Sequence, residues 1–355
     1  MASVQSLENK RGEIEFRKNL ALQFENKKIF YPSEPSAEEF SQIIKDRVRG
    51  YKTYFRSLFK KNAIVGPYLE LGAGVGQAAM LLENTYHGKG FISDISFETL
   101  ALAPQFKKKL HFTKMPIRIC CDAYNLPFKS QSLPFVFCFQ TLHHFPDPTP
   151  ILREVKRVLT PGGYFYFNEE PIAQSYNLNL WRRGTHLRWF EKILKVFIIL
   201  HFISRIGKSE VEHNILEETF SLSVWKNALH IFPHVTATLS VFPFGPRIER
   251  TKNDKNNWLI PIFPYNIFLY LLGGNIEGLC HTEKEKIQTT RLFNLLEILA
   301  CPNCKNRPQL SFNQKKELLS CSKCKEIYSK KKGIFLLLPK EKQNKLYPSL
   351  TDDIN

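Results

Sequence analysis

From position 36 onward the spacing of apolar residues switches repeatedly between a helical and an extended period. Phe40, Ile43, Ile44, Val48, Tyr51 and Phe55 recur three or four positions apart, one face of a helix running towards residue 60. Ser36 with Glu39 three positions on has the form of a capping box, which fixes where that helix starts. At 68–71 (YLEL) three apolar residues surround one acid, as at the end of a buried parallel strand. Glycines at 72, 74 and 76 follow, then the helix formers of 77–82 (QAAMLL). Short strands are predicted at 90–96, holding Asp94, and at 117–121, with Asp122 next. The wholly apolar run 133–139 (LPFVFCF) is a fourth strand. A helix at 152–159 turns Leu152, Val155, Val158 and Leu159 inward, TPGG at 160–163 ends it, and 164–167 is a fifth strand. Strand and helix alternate throughout, which predicts an α/β fold with a doubly wound, mostly parallel sheet.

Beyond 171 the pattern is less regular. Helices are expected at 188–205 (Trp189, Ile193, Phe197 and Leu200 on one side) and at 222–232. Strict alternation over 235–241 marks a half-buried strand, and 276–282 suits a last, antiparallel one. The apolar run 258–272, broken by Pro261 and Pro264, reads as core or as a cap over a bound acceptor. Residues 1–35 read as a polar, irregular arm and 340–355 as a disordered tail. Between them lie a main domain over 36–290, with a substrate-side insertion around 172–275, and a small C-terminal unit over 291–339.

Composition narrows this picture. At 355 residues, 43% hydrophobic and 13% aromatic, the chain is that of a folded protein with a sizeable core. Residues 1–10 are polar with no apolar run behind them, and neither 196–203 nor 258–272 reaches the roughly 20 apolar residues of a spanning helix. A cytoplasmic protein is expected, with peripheral membrane contact left open. The net charge of +17 is spread along the chain and densest at the C-terminus. No interleaving of aromatic with basic residues marks a nucleic-acid platform, so a solvated basic surface is favoured. Cys120, Cys121, Cys138 and Cys280 lie in apolar stretches and read as core thiols.

The candidate chemistry lies at the strand ends. Three glycines between a strand and a helix bring backbone N–H groups close to a nucleotide-like ligand. The spacing is G-x-G-x-G with Glu70 two residues ahead, not the G-x-G-x-x-G of a dinucleotide loop. With D-A-x-x-L-P-F at 122–128, L-H-H-F at 142–145 and E-V-x-R-V-L-x-P-G-G at 154–163, the stretch from about 60 to 170 resembles the type 11 subgroup of class I S-adenosylmethionine (SAM)-dependent methyltransferases. The resemblance implies a Rossmann-like fold and SAM as methyl donor. It implies that Gly72, Ala73 and Gly74 approach the methionyl part, with Glu70 ordering the loop and Gly76 completing it. Asp94, beside Ile95, would hold the ribose. Asp122 would take the adenine amino group with the Ala123 N–H nearby, and Gln140 would lie under the cofactor. His143 and His144 follow the fourth strand, where one could serve as a general base or the pair could shape the pocket; Glu169 and Glu170 carry the same ambiguity.

Near the C-terminus, Cys301-x2-Cys304 and Cys321-x2-Cys324 have the spacing of a zinc ribbon, a closed four-thiolate site for one structural zinc. With LLEILACP before it and GIFLLLP after it, this region resembles the Trm112-like zinc proteins, which serve as subunits stabilising methyltransferases of the translation machinery. That resemblance leaves a protein partner at the ribbon open. A small-molecule or lipid-linked acceptor is favoured. RNA or a translation factor is the alternative, and a non-catalytic methyltransferase-fold scaffold a second one.

Overall fold

The computed structural model describes residues 5–26, 36–61, 66–173, 189–197, 215–241, 246–253, 257–282 and 294–350. Five parallel strands form the centre: β1 (Tyr68–Leu71), β2 (Gly90–Asp94), β3 (Ile117–Cys120), β4 (Leu133–Phe139) and β5 (Leu159–Ile172). Their order is β3-β2-β1-β4-β5, so the sheet reverses direction between β1 and β4. Ligands of doubly wound sheets bind at the carboxyl ends of strands at such a reversal. β6 (His234–Val241), β7 (Arg247–Thr251) and β8 (Gly274–His281) extend the β5 side, all antiparallel, with β8 inserted between β5 and β6. The alternation predicted for 235–241 is observed residue by residue as buried and half-buried positions.

Helices α1 (Leu7–Asn26), α2 (Ala37–Lys61), α3 (Gln77–Thr85), α4 (Phe97–Lys109) and α5 (Thr149–Val158) cover the central strands. The capping box of α2 forms as predicted: Ser36 N–H donates to Glu39 Oε2 at 2.8 Å, and Glu39 N–H to Ser36 Oγ at 3.3 Å. Ile44, Val48, Tyr51 and Phe55 of its apolar face are buried. Phe55 meets Phe137 and Phe139 of β4 edge-on, at 5.6 and 6.1 Å between centroids. Of the helix expected at 188–205, α6 (Trp189–Val196) is described, and 198–205 lie outside the described residues. α7 (Leu222–Leu229) and α8 (Tyr265–Leu272) complete the β6–β8 region.

Two expectations need correction. Residues 7–26 are a helix, not an irregular arm. Their inner face mixes Lys10 and Gln23 with Phe16 and Ala21, all buried, so no purely apolar stripe announces it. Residues 340–346 form helix α9 (Lys340–Leu346) rather than a disordered tail, and Leu346 and Tyr347 are buried beside it. Beyond these bounds, the C-terminal domain joins the main sheet edge to edge. Its hairpins β9 (Leu310–Asn313), β10 (Leu318–Cys321) and β11 (Ile327–Lys331) lead to β12 (Ile334–Leu336), which pairs parallel with β3. One twelve-stranded sheet runs from β7 to β9.

The reason lies in the β3 edge. A central strand ending a parallel sheet leaves a row of unpaired backbone groups, and β12 covers them. Side chains of β12 and the residues after it alternate between the two layers. Ile334, Leu336 and Leu338 enter the α1–α4 side, while Phe335 and Leu337 enter the core that holds Ile298, Cys301 and Tyr328.

Candidate active site

The glycine loop is held by its neighbours before any ligand is considered. Gly72, Gly74 and Gly76 all have positive φ, and a Cβ on Gly72 would lie 2.5 Å from the Thr141 side chain. Gly76 is the N-cap of α3 and has no side chain to cap with, so Glu70 does this through space: its Oε2 accepts the Ala79 N–H at 2.9 Å. Burial pushes the Glu70 carboxyl up to about 8, against that hydrogen bond and with help from Asp94. At the end of β2, Asp94 accepts N–H groups from Gly74 (2.9 Å) and Ser96 (2.8 Å). Burial, with Glu13 nearby, still raises its carboxyl to about 6.

These groups line a cavity of about 800 Å³ at the reversal of the sheet. Glu70, Gly72, Ala73, Gly74, Asp94 and Ile95 face it from the β1 and β2 ends. Asp122 and Ala123 face it from the β3 end, and Gln140, His143 and His144 from the β4 end. Gly76 stands one step back, at the start of α3. The sequence therefore brings its predicted set together.

Asp122 has partners that sequence reading did not supply. Its Oδ2 lies 2.6 Å from Lys10 Nζ of α1 and 2.5 Å from Lys342 Nζ of α9. Burial alone would raise this carboxyl, but the two ammonium groups outweigh it and the pKa is lowered. Its Oδ1 accepts the Tyr124 N–H at 3.1 Å. Gln140, at φ 51°, accepts from Arg47 of α2 at 2.8 Å.

Beyond the predicted cofactor positions, Glu170 organises the loop after β4. A bulge between Phe167 and Glu170 shifts the register with β8 and leaves Glu169 at φ 62°. The fully buried Glu170 then accepts N–H groups from Thr141 (2.8 Å), Leu142 (2.9 Å) and His143 (3.1 Å), and contacts His143 Nδ1 at 2.9 Å. Burial opposes ionisation here too, yet His143 and the N–H groups hold the carboxyl below its usual range.

The roof consists of α1 and α2, contributing Phe16, Leu20 and Phe24, and Phe40, Ile43 and Ile44. The 258–272 run does not line the cavity. Trp258 and Leu259 are core, and Tyr265 and Leu269 seat α8 against the sheet, while Phe263, Phe268 and Tyr270 stay exposed. Of the 172–275 insertion, the segment at 217–219 with Gly274 and Asn275 does reach the cavity. Lys10, Arg47 and Glu217 were missed, because none lies within a motif. The signal for Lys10 was a spacing: Lys10, Glu13, Arg17, Leu20 and Phe24 recur at helical intervals and all face the cavity.

Residues 69–167 match the family described as Methyltransferase domain, and residues 293–329 match Trm112p-like protein. The chain joins a SAM-dependent methyltransferase domain to a Trm112-like domain. It is similar to the malonyl-[acyl-carrier protein] O-methyltransferase of Marinomonas sp. (strain MWYL1), 28% identical over 52% of this chain and 68% of that one. It is also similar to a phthiotriol/phenolphthiotriol dimycocerosates methyltransferase of Mycobacterium tuberculosis, 35% identical over 27% of this chain and 35% of that one. The chain thus spans about two thirds of the first relative and about a third of the second. Among solved structures, the complex of the Haloferax volcanii Trm112 methyltransferase activator with a methyltransferase is 18% identical with a TM-score of 0.39, over 69% of this chain and 98% of that one.

The four cysteines of the Trm112-like domain converge. Cys301 and Cys324 Sγ atoms are 3.6 Å apart, those of Cys304 and Cys321 3.8 Å, and all four lie within 4.8 Å of one another. Four thiolates at about 2.3 Å from one tetrahedral ion stand about 3.8 Å apart. The donor set fits a structural metal. Among the described residues, no helix is long and apolar enough to cross a membrane.

Proposed function

We propose that the protein transfers the methyl group of SAM to a small-molecule or lipid-linked acceptor with an apolar body. The observation that carries this reading is the cavity of about 800 Å³, roofed by apolar side chains of α1 and α2 above the acids of the sheet. Concave, mostly apolar sites with a few placed polar groups suit small ligands. The acyl-carrier and dimycocerosate substrates named for the relatives favour the same class. SAM supplies an activated sulfonium methyl, so the protein's work is positioning. Asp94 accepts the ribose hydroxyls, a reading supported by its place at the end of β2 on the cavity wall. Asp122 Oδ1 and the Ala123 N–H address an adenine edge, while the Lys10 and Lys342 ammonium groups keep that carboxyl charged. Gly72 to Gly74 leave room for the methionyl part. Where the acceptor carries a proton, His143 or His144 is positioned to take it.

At the other end of the chain, Cys301, Cys304, Cys321 and Cys324 hold one structural zinc, and the sulfur separations support that choice. RNA and translation-factor acceptors are the second reading, favoured by the Trm112-like domain itself. Incubation with methyl-labelled SAM and fractionated extract separates these. Label is expected in the organic-soluble or small-molecule fraction. Label confined to RNA or protein would overturn the acceptor assignment, and absence of SAM binding would overturn the enzyme reading.

A further inference from the structure

On the antiparallel side of the sheet, a stretch without charge turns its apolar side chains outward. No acidic or basic residue occurs between 256 and 276. Within it Tyr265 and Leu269 are buried and anchor α8, whereas Ile267, Phe268, Leu271 and Leu272 are exposed on the other sides of the helix. Ile262 and Phe263, just ahead of α8, are 80% and 74% exposed. A helix that is apolar all round belongs in a core or in lipid, and clustered exposed apolar side chains mark an interaction site. We propose that Ile262, Phe263 and the outer side of α8 dock the protein on an anionic lipid surface.

Polarity and charge select lipid over a protein partner. Protein interfaces carry about one hydrogen bond per 100–200 Å². On α8 the Tyr265 hydroxyl already donates to the Leu239 carbonyl at 3.0 Å, and Asn266 Oδ1 accepts the Ile267 N–H at 2.9 Å. The helix therefore offers a protein few directional bonds. Its rim is basic instead. Arg247 is exposed at the start of β7 and pairs with Ser240, one position from the Val241–Gly274 pair that follows α8. Glu249, also exposed, lies farther from that edge, opposite Thr238. A second helix has the same character. Trp189, Ile193, Val196 and Phe197, spaced along one face in and just past α6, are all exposed, and Lys192 is exposed too. With a net charge of +17, the chain is attracted to anionic head groups while such side chains enter the acyl boundary.

Position gives the surface a use. Gly274 follows α8 directly and pairs with Ile172 at the end of β5, and both residues line the cavity. A bilayer in contact with α8 therefore lies beside the cavity wall, where an apolar acceptor can pass from one to the other. That use rests on the acceptor reading above; the docking itself does not. At eight residues α8 is roughly 12 Å long, so it enters one leaflet and does not cross.

The test is co-sedimentation of the full-length chain with vesicles of phosphatidylcholine alone or mixed with phosphatidylglycerol. Binding is expected to the mixed vesicles, more weakly to the neutral ones, and with a salt dependence confined to the mixed. Phe263→Ser and Phe268→Ser should each weaken it about 10-fold or more, and Arg247→Ala about 5-fold on mixed vesicles only. Because these side chains are exposed, melting temperature and SAM affinity should stay at wild-type values in every variant. Wild type that sediments with neither vesicle overturns the proposal, as does binding indifferent to both phenylalanine variants. Wild type that is dimeric by light scattering, with Phe268→Ser monomeric, shows a second copy on this face and overturns it too. Vesicle binding without methyl label in the lipid fraction counts against the acceptor reading and leaves the docking in place.

Discussion

The Asp94 carboxyl has both oxygens on backbone N–H groups, yet burial keeps its pKa near 6. A group raised in this way is partly protonated in mildly acidic solution, and a protonated carboxyl accepts fewer hydrogen bonds. SAM affinity should therefore fall as pH drops through about 6 and be level above it. Glu70, raised to about 8, stays protonated through that window and does not confuse the measurement. Hydrogen bonds to a charged group contribute about 1.5–3 kcal/mol each. Calorimetry on Asp94→Asn should then show a loss on the order of 10–100-fold near neutrality and a flattened pH profile. A profile identical to wild type would mean that Asp94 does not carry the ribose. Acids of this kind were legible in the sequence because the strand period fixes where each strand ends, and the fold gathers those ends. Lys10 was not legible, since it reaches Asp122 across 112 positions and only the packed chain brings them together. Glu217 lay hidden for the same reason, in an irregular segment with no period to place it.

At the scale of elements, the same limit appears at the edge of the sheet. The period of β1 to β5 predicted each strand, but not that β12 would cover β3. A buried strand and an independent apolar segment look alike in sequence, and 334–338 is apolar throughout. The alternation that separates the two layers is visible only once the sheet is formed. Leu336 and Leu337 are both fully buried and face opposite layers. Replacing either by alanine should cost about 2–5 kcal/mol, the range for large-to-small changes in a core. Because the sheet is continuous, each variant should lower one shared urea transition. Two separate transitions, with only the cysteine-bearing part affected, would show that β12 belongs to an independent unit.

Continuity of the sheet changes what the cysteine site does for the whole molecule. A closed four-thiolate site at the periphery would stabilise only its own hairpins, and its loss would leave cofactor binding alone. Here the chain after the hairpins passes through β12 into α9, and from there to the β2 and β3 end of the cavity. Lys342 contacts Asp122 at 2.5 Å. The Tyr347 hydroxyl donates to the Ile95 carbonyl and accepts the Phe97 N–H at 3.0 Å. Ile95 and Asp122 line the cavity, so the last described elements hold two of its walls. A structural zinc site contributes on the order of 10 kcal/mol of apparent binding free energy, enough to decide whether a short hairpin region folds. Cys321→Ser should therefore lower both the melting temperature and SAM affinity. Lys342→Ala, with zinc in place, should lower SAM affinity with a smaller change in stability. Calorimetric titration of SAM into both variants, with zinc content measured alongside, distinguishes coupling from general unfolding. If Cys321→Ser loses its zinc yet binds SAM as wild type does, the two ends of the sheet are energetically independent and this coupling is wrong.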